Sequence, residues 1–355
     1  MTKEKHFLKH LSLAFVGISI LVLLVVTWAD PYRSLNFPWQ TSFISDRNVA
    51  YKRYKLMEAS PKITDLIVGS STCEIFQPYF LKKHFPIEPF NAGTPAASVQ
   101  LRYLLIKAGL KLHPELKRVI YVADLFEFND FDLPSKILFQ PELRSYLDDE
   151  DLSRIKKPDF ESRLHDYISD LVIERSLATL KDFVKNGLGL YHSRFHPDGG
   201  TNRSMIVVNP RDPIKIRALT TAIEQRGIYG EMKSLNQDTL WMYQKLVRLI
   251  ESTPGVELHI VLAPFHKYFF NRFRNNFERT QIYKDWLHLI HKLGESPSGR
   301  IRVHDFSFPN YLKFGVKYDS SFWIDGVHFS SETMMKMAEQ IFPKGNPKSC
   351  LDNCK

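Results

Sequence analysis

Ser70-Ser71 directly follows a short apolar run, Asp65-Leu66-Ile67-Val68-Gly69. A serine hydroxyl is a weak nucleophile until a neighbouring base takes its proton. Far down the chain, Asp325 and His328 stand in a D-x-x-H spacing ahead of a closing helical segment. A carboxylate three residues before a histidine can accept a hydrogen bond from Nδ1 and leave Nε2 to take a proton from a serine, the orientation of a general base. Ser71, His328 and Asp325 therefore have the types needed for covalent acyl chemistry as nucleophile, base and orienting acid. Plainer readings stay open. Ser71-Thr72-Cys73-Glu74 fits the S-x-x-E capping box, and with thirteen histidines in the chain a single D-x-x-H arises readily by chance, which leaves His328 as a loop or cap histidine.

Other residues invite weaker assignments. His266 lies two residues beyond the apolar run Val256–Pro264 and is read as a substrate contact or a packed loop histidine. Asp305 reads as a helix or turn cap, with a group that orients something in the crevice as the alternative, and the loop Asp198–Ser204, with Arg203, as a surface turn or a polysaccharide contact. Cys73 lies two residues from Ser71 and is expected to pack inward. Cys73, Cys350 and Cys354 form neither a CxxC nor a Cys/His cluster, so a structural zinc site is not expected; the tail pair could join in an oxidising compartment. Nothing in the pattern asks for a metal or a cofactor.

Residues so far apart can meet only if the fold gathers them. The runs Asp65–Ser71, Pro89–Gly93, Arg118–Leu125, Val256–Pro264 and Ile301–Ser307 read as strands, and Tyr51–Ala59, Ser98–Leu112, Gln237–Glu251, Gln281–Leu293 and Glu332–Ile341 as helices between or beside them. Such alternation predicts one globular α/β unit with a parallel sheet. In such a sheet ligands sit beyond the carboxyl ends of the strands, where Ser71 and His266 fall. Gly69 is expected to permit a sharp turn, and a helix following it would set its positive end beside Ser71. From Asp130 to about 235 the alternation lapses into charged, partly amphipathic sequence (Phe160–Val184), read as an insertion or cap.

With 355 residues, 44% hydrophobic and 25% charged, the chain can bury a core, which excludes a disordered or disulfide-held chain. Its charge of +9 is scattered rather than striped, which argues against nucleic acid and leaves solubility or attraction to an acidic envelope polymer or anionic lipid. Leu11–Ala29 is uncharged and long enough to cross a bilayer. Lys3, Lys5 and Lys9 before it place residues 1–10 in the cytoplasm and the rest beyond the membrane. A cleaved signal peptide is the competing reading, because Thr27-Trp28-Ala29 loosely fits a cleavage site. Residues 30–62 are then a lead-in, 63–343 the main domain and 344–355 a tail.

"DLIVGSS", "FNAGTPAAS" and "DGVHFS" together resemble the blocks of the SGNH (GDSL-like) hydrolase and acyltransferase superfamily over about Lys62 to Ile341. With the N-terminal anchor, the chain is most similar to the membrane-tethered bacterial branch that includes the alginate O-acetyltransferase accessory proteins and the D-alanyl-lipoteichoic acid transfer protein. The resemblance implies a three-layer, flavodoxin-like parallel sheet with helices on both faces, Ser71 as nucleophile, His328 as base and Asp325 as orienting acid. It implies an oxyanion hole using a backbone N–H between Gly93 and Ala96, with no cofactor. The implied partners are an acyl donor, an envelope polysaccharide and a multi-spanning acyltransferase. The sequence departs from the family after the third strand, where "VADLFEF" offers Asp124 or Glu127 and no Asn before Asn129, and Ala96 replaces the usual glycine. A backbone donor survives that alanine; a missing side-chain donor weakens an oxyanion hole by roughly 10²-fold in rate.

Overall fold

The computed structural model describes residues 3–29, 49–95, 97–128, 141–154, 170–190, 192–201, 235, 237–267, 270–271, 277–317, 322–323 and 328–342. All five apolar runs form strands: β1 (Asp65–Gly69), β2 (Pro89–Asn91), β3 (Arg118–Ala123), β4 (Glu257–Leu262) and β5 (Ile301–Asp305). They pair in parallel in the order β2-β1-β3-β4-β5. Ile67 stands opposite both Asn91 and Ile120, and Val261 opposite His304. This is a doubly wound order whose switch point lies between β1 and β3, so the crevice opens where Ser70-Ser71 and Asp124 leave the sheet.

The helices are α1 (Lys3–Ala29), α2 (Val49–Ala59), α3 (Pro78–His84), α4 (Val99–Leu112), α5 (Pro141–Arg144), α6 (Asp149–Arg154), α7 (Asp170–Gly187), α8 (Gln237–Ser252), α9 (Phe277–Gly294) and α10 (Ser331–Ile341). Ser98 starts α4 by accepting the Leu101 N–H at 3.3 Å. Pro114, just beyond His113, disfavours its continuation. Successive strand residues face opposite ways. Leu66 meets α4 so closely that a Cβ on Gly109 would stand 2.6 Å from it. Its neighbour Ile67 joins Ile120, Val122 and Val261 in a core completed by Met334, Met337 and Ile341 of α10.

The expected helix after β1 is instead a five-residue 3-10 turn, Ser71–Ile75, and α3 begins only at Pro78. Pro78 has no N–H to give the Glu74 carbonyl, and it holds Gln77 in extended backbone (φ −76°, ψ 119°), so an α-helix begun at Ser71 could not run on. Gly69 serves close approach rather than a turn. A Cβ there would lie 2.8 Å from the Cys73 Cβ and 3.0 Å from Val122.

Two compact units form where composition suggested one: residues 1–52 with 134–193, and residues 53–133 with 194–355. The segment after β3 thus divides, its amphipathic helix α7 joining α1, and the chain returns to the sheet unit at Arg194. Within α1, His6–Trp28 is long and apolar enough to cross a membrane, consistent with single-pass anchoring.

The described part of the loop, 198–201, is not an exposed turn, since Gly199, Gly200 and Thr201 are buried. Asp198 accepts the Asn91 N–H at 3.1 Å, and Thr201 N–H donates to Gln77 Oε1 at 3.0 Å. Gly199, at φ +77°, passes so near β2 that a Cβ would meet the Asn91 carbonyl at 2.2 Å. The loop therefore occupies hydrogen-bonding groups that the edge strand would otherwise expose. Arg203 lies outside the described residues.

Candidate active site

Ser71 Oγ and His328 Nε2, 257 positions apart in sequence, lie 2.9 Å from each other, and both residues are half-buried. At that distance the imidazole can take the hydroxyl proton directly. Ser70, not Ser71, performs the capping: its Oγ accepts the Thr72 N–H at 3.4 Å. Division of labour between adjacent serines leaves Ser71 free to face the histidine.

Each partner is held from behind. Asn91, at the end of β2, donates both amide protons to the turn, to the carbonyls of Cys73 and Phe76 at 2.8 Å each, and its Oδ1 accepts the Gly93 N–H at 2.8 Å. On the other side, Ser330 donates its N–H to Phe322 O at 2.9 Å and caps α10 through the Thr333 N–H. The ring of Phe329, next to His328, meets Phe76 edge-on at 6.1 Å, so the base and the nucleophile turn share a packed wall. Arg53 adds a further tie, reaching the Asn91 carbonyl and lying 3.6 Å from Glu74. Burial pulls its guanidinium down to about 10.

Some sequence assignments change and others stand. Gly93 is no oxyanion donor, because its N–H is taken by Asn91, and its missing side chain makes room for Cys73, whose Sγ would stand 1.9 Å from a Cβ there. The neighbouring N–H groups are also engaged: Ala92 with Ile67 O, Thr94 with Gly69 O and Ala97 with Thr94 O. Pro95 has none, which leaves Ala96 as the remaining backbone donor of this block; it lies outside the described residues, as do Asp325 and Asn129. His266 is fully buried and set edge-on to Trp323 at 5.1 Å, a packed histidine rather than a substrate contact. Asp305 is the turn cap, accepting the Ser307 N–H at 2.8 Å and the Asn310 amide at 2.7 Å. Cys73 is buried, and burial pushes its thiol up to about 12, which makes it inert as a nucleophile. Cys350 and Cys354 lie outside the described residues. Among the described residues no three His, Cys, Asp or Glu converge as a metal set.

Asp124 is not an oxyanion ligand either. It is buried, accepting from Ser70 Oγ at 2.6 Å and from Arg102 Nη2 at 3.0 Å. Arg102, also buried, pairs in addition with Glu127, and Glu127 accepts the hydroxyls of Tyr121 (2.8 Å) and Tyr243. A charged network thus runs from the core to the residue beside the nucleophile. Sequence reasoning missed Ser70, Asn91 and Arg102. The available signal was a lone Arg amid the apolar positions of α4, together with two acidic residues just after β3.

Burial, with Asp124 alongside, pushes the Glu127 carboxyl up to about 7 against the pull of Arg102 and the tyrosine hydroxyls. A carboxyl held more tightly protonated in the folded state than in the unfolded one contributes stability that is complete below the ordinary glutamate range. That contribution is lost as pH rises through about 7. Glu127→Gln should therefore flatten the decline in melting temperature between about pH 5 and pH 8; an unchanged slope would show that Glu127 is ionised throughout.

No family model matches the chain, and no curated protein matches it. Among solved structures, a "putative platelet activating factor" from Streptococcus pneumonia overlaps 83% of this chain and 90% of its own, at 10% identity and a TM-score of 0.29, a likeness too loose to fix fold or activity.

Proposed function

We propose that the chain is a membrane-anchored serine acyltransferase or esterase of SGNH type, acting beyond the cytoplasmic membrane on O-acyl groups of an envelope polysaccharide or related polymer. The observation that carries this reading is the 2.9 Å approach of Ser71 Oγ to His328 Nε2. In the proposed cycle, Nε2 takes the hydroxyl proton as Ser71 Oγ attacks the acyl carbonyl, and Asp325 keeps the Nδ1 proton in place. The tetrahedral oxyanion is met by the Ser71 N–H, first in its turn, and by that of Ala96. Collapse expels the donor's oxygen, which takes the proton from His328 and leaves an acyl-serine. A sugar hydroxyl or water, deprotonated by the same imidazole, then attacks the acyl carbonyl and takes the acyl group, and the imidazolium returns the proton to the departing Ser71 Oγ. Lys3, Lys5 and Lys9 favour the outward orientation. A polymer acylated outside the cell needs its acyl group delivered across the membrane, which one span cannot do; a multi-spanning acyltransferase is the proposed partner.

A second reading, a noncatalytic envelope scaffold, is favoured by one observation: the N–H groups of Ala92, Gly93, Thr94 and Ala97 are all engaged within the protein. A fluorophosphonate probe separates the two. Labelling at Ser71 that is lost in Ser71→Ala and weakened in His328→Ala is expected. A folded wild-type protein that takes no label would leave the scaffold.

A further inference from the structure

Apolar residues that the core does not use gather on one helix of the first unit. α7 packs against the carboxyl-terminal part of α1, where Val26 is buried and Trp28 meets Phe183 edge-on at 5.1 Å. Away from that contact, Leu177, Val184, Leu188 and Leu190 are 53%, 52%, 67% and 64% exposed. At 100° per residue, positions 177, 184 and 188 fall within about 40° of one another, a single stripe, with Lys181 and Lys185 beside it. Glu174 lies a turn further from the Phe183 contact. The helix end is well formed. Gly189 (φ +70°) donates to Asn186 O at 3.0 Å and Leu190 to Lys185 O at 2.7 Å, a Schellman closure that displays Leu188 and Leu190 on fixed backbone.

The neighbour of this stripe says what covers it. α1 is long and apolar enough to cross a bilayer, and Trp28, at its end, is of the type that settles at the membrane–water boundary. Phe183 touches Trp28, and Leu188 is five residues on, about 7.5 Å along the axis. The point where α7 meets α1, midway between Leu177 and Leu188, thus lies at the end of the membrane-length segment of α1. We propose that α7 is an interfacial helix whose leucine and valine stripe enters the boundary of the acyl chains, with Lys181 and Lys185 among anionic headgroups. The proposal does not depend on acyl chemistry at Ser71.

The full-length protein, with Cys350→Ser and Cys354→Ser and the buried Cys73 retained, is reconstituted in phosphatidylcholine–phosphatidylglycerol vesicles containing acyl-chain-brominated lipid. An environment-sensitive fluorophore is attached at Leu188→Cys, and in separate samples at Leu177→Cys, Leu13→Cys in α1 and Lys313→Cys in the sheet unit. The Leu188 and Leu177 probes should be quenched at least about half as strongly as the Leu13 probe, and the Lys313 probe hardly at all. Quenching at Leu13 with none at Leu188 or Leu177 would overturn the proposal and turn attention to a protein partner. No quenching at Leu13 would remove α1 from the bilayer, and the proposal with it.

Discussion

Ser71→Ala should lower turnover of an activated ester by roughly 10⁴-fold or more, because the covalent route disappears with the hydroxyl and only binding and charge stabilisation remain. Stability should hardly move. The hydroxyl bonds His328 at the surface of the crevice, while the cap belongs to Ser70 and the turn is tied down by Asn91. Loss of one half-buried hydrogen bond is worth about 1 kcal/mol, a few degrees in melting temperature at most. His328→Ala should fall nearly as far, since the two groups act as one unit. Asp325→Asn should be milder, because the imidazole can still accept a proton from a poorer orientation. Turnover measured beside melting temperature for the three variants decides the matter: wild-type activity in a folded Ser71→Ala protein would end the catalytic reading.

Arg102→Met should be among the most destabilising single changes in the sheet unit, by roughly 3–5 kcal/mol at neutral pH. Methionine fills the space but leaves Asp124 and Glu127 buried without their cation. Asp124 is the more exposed to this loss, because its Oδ1 has no donor among the described residues and its other oxygen depends on Ser70 and Arg102. The penalty should shrink at about pH 5, where Glu127, already shifted up to about 7, is neutral. Adding Glu127→Gln should recover part of it at pH 8, as expected for residues sharing one network. Denaturation midpoints at the two pH values test this; an equal loss at both would mean that packing, not charge, is what Arg102 supplies.

The sheet was legible because four of the five strands are short β-branched runs ended by Gly, Pro or a polar residue, and the remaining one, β2, is a short buried run just ahead of Gly93. Ser71 and His328 were legible because one directly follows a strand end and the other stands just ahead of a helix start, each with the right chemistry. The turn between β1 and α3 was not, since the feature that stops a helix, Pro78, acts backwards on residues that otherwise look helical. Nor was the support under Ser71. Asn91, Arg102 and Glu127 each make contacts with residues 15 to 116 positions away, and no local period announces a long-range hydrogen bond. Gly93 misled because the resemblance offered its backbone N–H to an oxyanion, whereas Asn91 Oδ1 takes that N–H and a cysteine sulfur fills the space beside it.

The separation of 257 residues between Ser71 and His328 also sets a clock. A ribosome adding roughly 5–20 residues per second needs on the order of 10–50 s to pass from one to the other. During that interval the serine-bearing turn exists only as an isolated segment, its hydroxyl no more reactive than any other. Because β4, β5 and α10 all lie between or around the two, the pair assembles only after most of the sheet has closed. A chain halted midway through synthesis would therefore carry the serine without its histidine, and the 2.9 Å pair would form only once the carboxyl-terminal part of the sheet unit had folded.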